Sequence, residues 1–549
     1  MDKKYWIFGI ILLALMLRLW GLGQGDALND ETLLAFRSIG PMDYLEAVHQ
    51  TTPLEWFDGR IPWWTKLSFH DHPPLVFWIQ HFFIRLFGET TFAFRLPSVL
   101  LGAAAVYFVY AIGTLLFSSG AGLVASLLLA VTVNHLFISR VGLQESYVIF
   151  FALAAFYFFL KALKKEKYFL LFGVALGLGL LSKYIAFIIV PIVLTHLWYE
   201  KRSAFSSRWL WVGFGVALAL FLPVIVYNIL MYRATGHFDF QFSYIFGEHP
   251  AVWTEAPGKA EAGAFLDRLR NFLPNLFLTN SWLFLPFFGA ALLSFMFAAA
   301  RNFLLTFQRY DFLVIAFFFT ALLLFLVGPE TRFLTLLTPF LALSLGVAFM
   351  SFRKFLSRLS AVVPLLLFGI TAFEIFYSLN SQIFSIPYGV SPWTFSSRLR
   401  QENYNWGYHE LGLFFEKEFK GRVPAVSVNV PYRFLEDLRD RGVASVSAAG
   451  ATSYPALIVR YGNFDPGGEL WTLERLLIYH GWPVITFEDY LKNQKIGGGD
   501  YFKRPGAKVY FVVTTNFVPE PSFAMLVKNL SPVTITDARG VPAFRIYEL

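Results

Sequence analysis

The sequence has no cysteine and few charges. Zero cysteines among 549 residues exclude disulfides, thiolate metal sites and a cysteine nucleophile, so an exported domain would have to be held together by its own core. Charged residues make up 15% of the chain against 56% hydrophobic ones, and a mean hydropathy of +0.54 points to lipid as the main solvent. A phosphate-binding glycine loop, a nucleophile elbow and an HExxH motif are all missing, which argues against nucleotide-driven pumping and zinc-peptidase chemistry. Repeats and low-complexity tracts are missing too. The net charge of +8 would suit nucleic acid, but the basic residues sit in short clusters between apolar runs. They read as topology signals, and no nucleic-acid partner is expected.

What is present is a series of long apolar runs. A membrane span needs roughly 20 apolar residues, because the hydrocarbon core is about 30 Å thick and a helix rises about 1.5 Å per residue. About eleven spans follow, near 5–22, 95–117, 120–138, 144–163, 167–182, 184–200, 208–231, 273–299, 310–328, 332–350 and 358–379. The basic start of the first, Lys3 and Lys4, also suits a signal peptide. No small-residue cleavage site follows it, however, and Arg18-Leu-Trp-Gly reads as an interfacial anchor, so a retained span is expected.

Threading from a cytoplasmic N-terminus puts Lys161/Lys164/Lys165/Lys167, Lys201/Arg202/Arg208, Arg301/Arg309 and Arg353/Lys354/Arg358 in inside loops, as the positive-inside rule requires. Counting Pro73 to Phe87 as a further span would invert every later loop. That stretch therefore reads as an aromatic helix lying along the interface. The same threading places 23–94, Ser139–Glu145, the break at Lys183, 232–272 and Gly328–Arg332 on the far side.

From about Asn380 the composition becomes mixed. Strand-like runs (Ala425–Val430, Ala456–Val459, Val509–Val513) alternate with helix-like ones (Tyr408–Phe419, Tyr432–Arg441, Leu470–His480). The expected protein is a polytopic α-helical membrane domain over 1–380, with interfacial helices in 23–94, followed by an extracytoplasmic soluble α/β domain over 381–549. A multi-pass protein of the inner (plasma) membrane fits this layout.

Charges that topology does not explain gather on the far side. Asn29-Asp30-Glu31 opens an amphipathic stretch after Gly21-Leu-Gly-Gln-Gly25. Carboxylates at a helix start can cap free N–H groups and complement the macrodipole. They can equally accept a proton, or orient a hydroxyl or metal. Phe69-His70-Asp71-His72-Pro73-Pro74 offers two imidazoles and a carboxylate for a metal or phosphate; prolines at a first helical turn are the plainer reading. Arg140 and Glu145 bracket a short turn and have each other as the simplest partners. Lys183 interrupts an apolar stretch, where an ionisable group is a functional candidate unless it snorkels to the surface. Arg332, in Glu330-Thr-Arg332, has the fork that suits a phosphate but can also anchor a span end. His237 and His249 lie in a long loop, where function is commoner than usual.

The order of these pieces over about residues 5 to 380 resembles the polyprenyl-phosphate-dependent membrane glycosyltransferases, namely protein O-mannosyltransferases and the bacterial enzyme that adds aminoarabinose to lipid A. The resemblance rests on Asp30-Glu31 after the first span, His72-Pro-Pro-Leu75 before an aromatic interfacial helix, and Phe87-Gly-Glu-Thr-Thr-Phe-Ala-Phe-Arg95-Leu-Pro-Ser98 entering the second span. Ser139-Arg-Val-Gly-Leu-Gln-Glu145, Leu181-Ser-Lys183 and Thr331-Arg332-Phe-Leu334 follow in the same order.

It implies a GT-C fold and inverting transfer of a sugar from a polyprenyl-phosphate donor to a lipid, glycan or protein hydroxyl. Asp30 would be the base, assisted by Glu31. Lys183, Arg332 and His72 would hold the donor phosphate, and Arg37, Arg140 and Glu145 would contact substrate. Asp71 and His249 are the residues expected to hold a divalent metal ion, if the reaction uses one. Where Asp71-His72 stands here, the aminoarabinose enzyme has a Glu-Lys pair. Two rivals remain open at this level. A lipid-linked substrate transporter or flippase would place charges near the midplane in paired halves, and a receptor whose α/β domain binds a ligand would not need Asp30.

Overall fold

The computed structural model describes residues 3–27, 29–45, 50–253, 264–301, 303–355, 362–383, 406–495 and 506–549. The chain divides into two compact units. One comprises Met1–Leu22, Ala47–Thr51 and Trp63–Gln401; the other comprises Gly23–Glu46, Thr52–Pro62 and Glu402–Leu549.

The first unit is helical. Among the described residues six helices are long and apolar enough to cross a membrane: Thr91–Leu116, Glu145–Ala162, Arg208–Thr235, Tyr310–Val327, Phe333–Lys354 and Val362–Gln382. Helices also occupy the other expected stretches but are shorter or broken, and each break has a local cause. The run near 120–138 becomes Ser119–Val131 and Val133–Ile138, because Thr132 takes an extended backbone between them. The run near 273–299 becomes Phe265–Thr279 and Phe284–Arg301. Here Asn280 Nδ2 turns back to the Leu276 carbonyl at 2.9 Å, and Ser281 Oγ accepts the Phe284 N–H at 3.0 Å. Small polar side chains that compete with the backbone for hydrogen bonds end one helix and start the next. Helices Phe169–Ser182 and Arg208–Thr235 pack tightly. A Cβ at Gly173 would overlap the Gly213 carbonyl, which is the small-residue contact that brings helices together in lipid. Pro73–Phe87 forms a helix from Leu75 to Phe87 with Trp78, Phe82, Leu86 and Phe87 exposed.

The second unit contains the α/β fold expected of the C-terminal residues. Strands β1 (Arg422–Pro424) and β2 (Thr452–Tyr454) pair in parallel. Strands β3 (Ala456–Tyr461), β4 (Val484–Thr486), β5 (Lys508–Thr514), β6 (Val533–Thr536) and β7 (Pro542–Glu548) form a second sheet in the order β4-β3-β5-β7-β6. Its first three members are parallel and the last two antiparallel. Successive residues of β3 and β5 enter opposite cores. Ala456, Ile458, Tyr510 and Val512 pack with Leu411, Phe415 and Trp482 on one face; Leu457, Val459, Val509 and Phe511 pack with Phe487, Tyr490 and Phe523 on the other. The strand expected at Ala425–Val430 forms instead as β1, just before it. Ala425 N–H still bonds to the Tyr454 carbonyl at 3.0 Å, but further on the Val428 carbonyl accepts from Arg439 Nη1 at 2.7 Å instead of from a strand. Residues of the first loop belong to this unit's core, with Phe36, Met42, Tyr44 and Leu54 buried among Val430, Phe434, Leu435, Ile478 and Tyr479.

Candidate functional site

Three sequence-distant segments of the helical unit meet around Lys183. The helix Phe169–Ser182 stops there because Lys183 is extended (φ −164°, ψ 140°), and a 3-10 turn, Tyr184–Ile188, carries the chain on. This break aims Lys183 Nζ at Glu145 Oε1, 2.6 Å away at the first turn of Glu145–Ala162. The pair is enclosed, with side-chain exposures of 16% and 1%. Lys183 Nζ lies 4.8 Å over the Phe333 ring, and the Arg332 guanidinium lies 5.1 Å over the same ring. Both cations are close enough to act on the Glu145 charge.

The same segments line a narrow apolar cavity. Val148, Ile149 and Phe156 come from the Glu145 helix, Ile185 and Ile188 follow Lys183, and Leu336 follows Arg332. Two cations on segments that also supply the wall of an apolar cavity suit an amphiphile with an anionic head.

The His70-Asp71-His72 segment is also in this unit. Asp71 is buried, with Oδ2 2.9 Å from His72 Nδ1 and Oδ1 3.8 Å from His70 Nδ1. His70 is itself fixed: its Nε2 meets the Gln50 side-chain amide at 2.8 Å, its ring stacks on Trp253 at 6.0 Å, and its carbonyl accepts the Phe240 N–H at 2.7 Å. His70 and Asp71 are members of a buried carboxylate-histidine group whose ligand atoms could hold a cation. His72 is partly exposed, and His249 is exposed just beyond the helix Phe240–Phe246. Gln80, on the following helix, donates to the Gly142 carbonyl at 2.8 Å and so ties this segment to the turn before Glu145.

The acidic motif lies in the second unit, in the first turn of the helix Asn29–Ile39. Asp30 is exposed and Glu31 buried. Arg37, at the other end of the helix, is buried in an ion pair with Asp43. Arg140 does not take Glu145 as its partner. Its Nη1 donates to the carbonyls of Leu17, Arg18 and Trp20 at 3.0, 2.9 and 2.7 Å, closing the end of the first helix, while Glu145 takes Lys183.

Sequence reasoning missed Asp239. Fully buried, it accepts from Tyr184 Oη at 2.6 Å, Asn228 Nδ2 at 3.0 Å and the Phe242 N–H at 2.8 Å. Burial pushes its carboxyl above the usual aspartate range against the pull of those hydrogen bonds. Because Tyr184 adjoins Lys183 and Phe240 bonds to His70, Asp239 joins the two clusters. The available signal was an Asp before a short aromatic run, an N-cap pattern, which says nothing about burial.

Parts of this chain are similar to known proteins. Residues 71–227 match the family described as "Dolichyl-phosphate-mannose-protein mannosyltransferase". A Bacillus subtilis (strain 168) protein named "Putative mannosyltransferase YycA" is 27% identical over 161 residues, 27% of this chain and 24% of its own length, so the chain spans about a quarter of that curated relative. The fold is similar to that of two solved proteins. Over 99% of this chain it superposes on 97% of ArnT from Cupriavidus metallidurans bound to undecaprenyl phosphate (TM-score 0.51, 14% identity). Over the same share it superposes on 74% of the Archaeoglobus fulgidus oligosaccharyltransferase AglB in complex with an inhibitory peptide and a dolichol-phosphate (TM-score 0.51, 15% identity). The GT-C fold and the resemblance to polyprenyl-phosphate-dependent glycosyltransferases are thereby borne out.

Proposed function

We propose that this chain is a membrane glycosyltransferase that moves a sugar from a polyprenyl-phosphate donor to an acceptor hydroxyl on the extracytoplasmic face of the inner (plasma) membrane. The observation that carries this reading is the gathering of Lys183, Glu145 and Arg332 on segments that also line an apolar cavity. An isoprenoid chain suits the Val148, Ile149, Ile185 and Leu336 walls, and its phosphate suits the two cations. Glu145 holds Lys183 in place, and His72 can add a donor to the phosphate. The match of residues 71–227 and the polyprenyl phosphates bound to the two structural relatives support the same donor class.

In the proposed reaction the acceptor oxygen attacks the anomeric carbon from the face opposite the phosphate. The bond from that carbon to the phosphate oxygen breaks, its electron pair leaving with polyprenyl phosphate, and the hydroxyl proton passes to Asp30. The product is the inverted glycoside. The chain's own task is to position two substrates and stabilise charge growing on the phosphate, both of which are large rate effects. A divalent metal ion fits the carboxylate and imidazole donors of Asp71 and His70, where it would supply further positive charge. The donors present suit a hard or borderline ion.

The test is Asp30→Asn, which keeps size and removes basicity. Membranes carrying the variant or the wild type are incubated with a panel of radiolabelled polyprenyl-phosphate sugars and acceptor extracts. The expected result is labelling by the wild type with one donor and at least a 100-fold loss in the variant, with donor binding unchanged. Wild-type-like labelling by the variant would remove Asp30 as the base, and no labelling by the wild type with any donor would overturn the enzyme assignment.

A further inference from the structure

The unit that holds residues 402–549 also holds residues 23–46 and 52–62, and carboxylates of this first loop serve as caps for helices far along the chain. The helix Tyr408–Glu418 begins at Gly407, which has no side chain to cap it. Asp26 does so instead, its Oδ1 accepting the His409 N–H at 2.7 Å and its Oδ2 the Trp406 N–H. The helix Arg433–Ala448 has Tyr432 at its N-cap without a side-chain bond. Asp58 supplies it, accepting the N–H groups of Arg433 and Phe434 at 2.9 and 3.2 Å. Charged acceptors at helix starts are strong, directional contacts. A third tie is Tyr479, whose hydroxyl donates to the Phe36 carbonyl at 2.7 Å while its ring meets the Phe36 ring edge-on at 5.1 Å. Between Asp26 and Asp58 in sequence runs the helix Asn29–Ile39, with Asp30 and Glu31 in its first turn.

We infer that the C-terminal residues form a positioning platform for the acidic motif, with Asp26, Asp58 and Tyr479 as the positioning residues that fix the helix bearing Asp30. The inference rests on the reading of Asp30 as the base. It gives the C-terminal domain a role in transfer that needs no ligand of its own: it restrains the segment whose carboxylate must meet a hydroxyl within hydrogen-bond reach, and small misplacements of such groups are costly.

The test uses the full chain in lipid nanodiscs, with the double variant Asp26→Ala/Asp58→Ala, the conservative pair Asp26→Asn/Asp58→Asn, and Tyr479→Phe. Initial transfer rates are measured across donor concentrations, and amide hydrogen exchange is followed over residues 29–39. The alanine pair is expected to lower kcat at least tenfold, leave the donor KM within twofold, and speed exchange over 29–39. The asparagine pair, whose single amide oxygens keep one of the two N–H bonds that each carboxylate accepts, is expected to recover part of kcat and to fall between the alanine pair and the wild type. If the alanine pair does not fold, Tyr479→Phe, which removes one hydroxyl, carries the same expectation at a threefold or greater loss of kcat. A kcat within twofold of wild type in the folded variants, or a loss that falls on KM and kcat together and is not rescued by asparagine, would overturn the platform. Asp30→Asn in the same assay separates the two readings. If it transfers at the wild-type rate the base assignment has failed, whereas if it is inactive and the anchor variants are not, only the platform has.

Discussion

Lys183 pairs with Glu145 and is proposed to bind the donor phosphate, and a double-mutant cycle with Glu145 separates the two. In Lys183→Met the ammonium is lost 2.6 Å from a carboxylate whose side chain is 1% exposed. Removing one partner of a buried pair leaves an uncompensated charge and typically costs about 3–5 kcal/mol. The variant should therefore melt well below the wild type in detergent. Replacing both members by neutral groups of similar shape is often neutral or stabilising, so Lys183→Met/Glu145→Gln should melt at or above the wild type. Donor binding should behave differently. If Lys183 donates to the lipid phosphate, the charge-assisted bond is worth about 1.5–3 kcal/mol, roughly a 10- to 100-fold loss of affinity, and the double variant should not regain it. Melting midpoints give the first quantity, and titration with a short-chain polyprenyl phosphate gives the second. Wild-type donor affinity in the double variant would refute phosphate binding by Lys183, and an unchanged midpoint in the single variant would refute the enclosed pair.

Three further outcomes follow from the geometry. Arg140→Met leaves three carbonyls at the end of the first helix without their donor, and should destabilise by roughly 2–4 kcal/mol while the folded fraction keeps its donor KM, as thermal melts and kinetics on the same preparation would show. Gly173→Ala would drive a methyl into the Gly213 carbonyl, so the helices Phe169–Ser182 and Arg208–Thr235 must part, at a cost of about 1–3 kcal/mol; an unchanged midpoint would contradict that contact. Asp239 is protonated more readily in the fold than its ordinary value of 3.8, so the stability it gives is complete below that value and is lost as pH rises through the raised one. The melting midpoint of Asp239→Asn minus that of the wild type should accordingly climb with pH above about 4 and then level, whereas a flat difference would refute the shift.

Much of the fold could be read from the sequence because lipid imposes a simple length rule, and long apolar runs such as 91–116 and 208–235 obey it. Breaks in spans were less legible. Thr132 is a lone polar residue after an apolar run and Thr279-Asn280-Ser281 a short polar patch, and only their backbone choices reveal that they end helices. In the α/β fold the buried strands β3 and β5 stood out as apolar runs, but the largely exposed edge strand β6 carries no such mark. Pairings across the chain were the least legible. Arg140 and Glu145 are sequence neighbours, yet each found a distant partner, because the first helix end needed a donor and Lys183 needed a carboxylate. Likewise Asp26 and Asp58 cap helices more than 370 residues away, which no local pattern records.

Anchoring of a helix end accounts for some of the charged motifs and not for others. Arg140 has the geometry of an anchor: its guanidinium is spent on backbone carbonyls, and the helix it closes needs them satisfied. Lys183 does not. A snorkelling lysine needs only an unbroken helix and a long side chain to reach the surface, but here the chain gives up helical geometry at Lys183 and resumes it only after a 3-10 turn. Irregular backbone at membrane depth is tolerated where it is buried in protein or lines a cavity. The turn that follows Lys183 supplies Ile185 and Ile188 to the cavity wall, and the 3-10 turn after Arg332, Phe333–Leu337, supplies Leu336. The turns that follow Lys183 and Arg332 thus contribute to the wall of the same apolar space, an arrangement that fits the proposed donor with its anionic head and apolar chain.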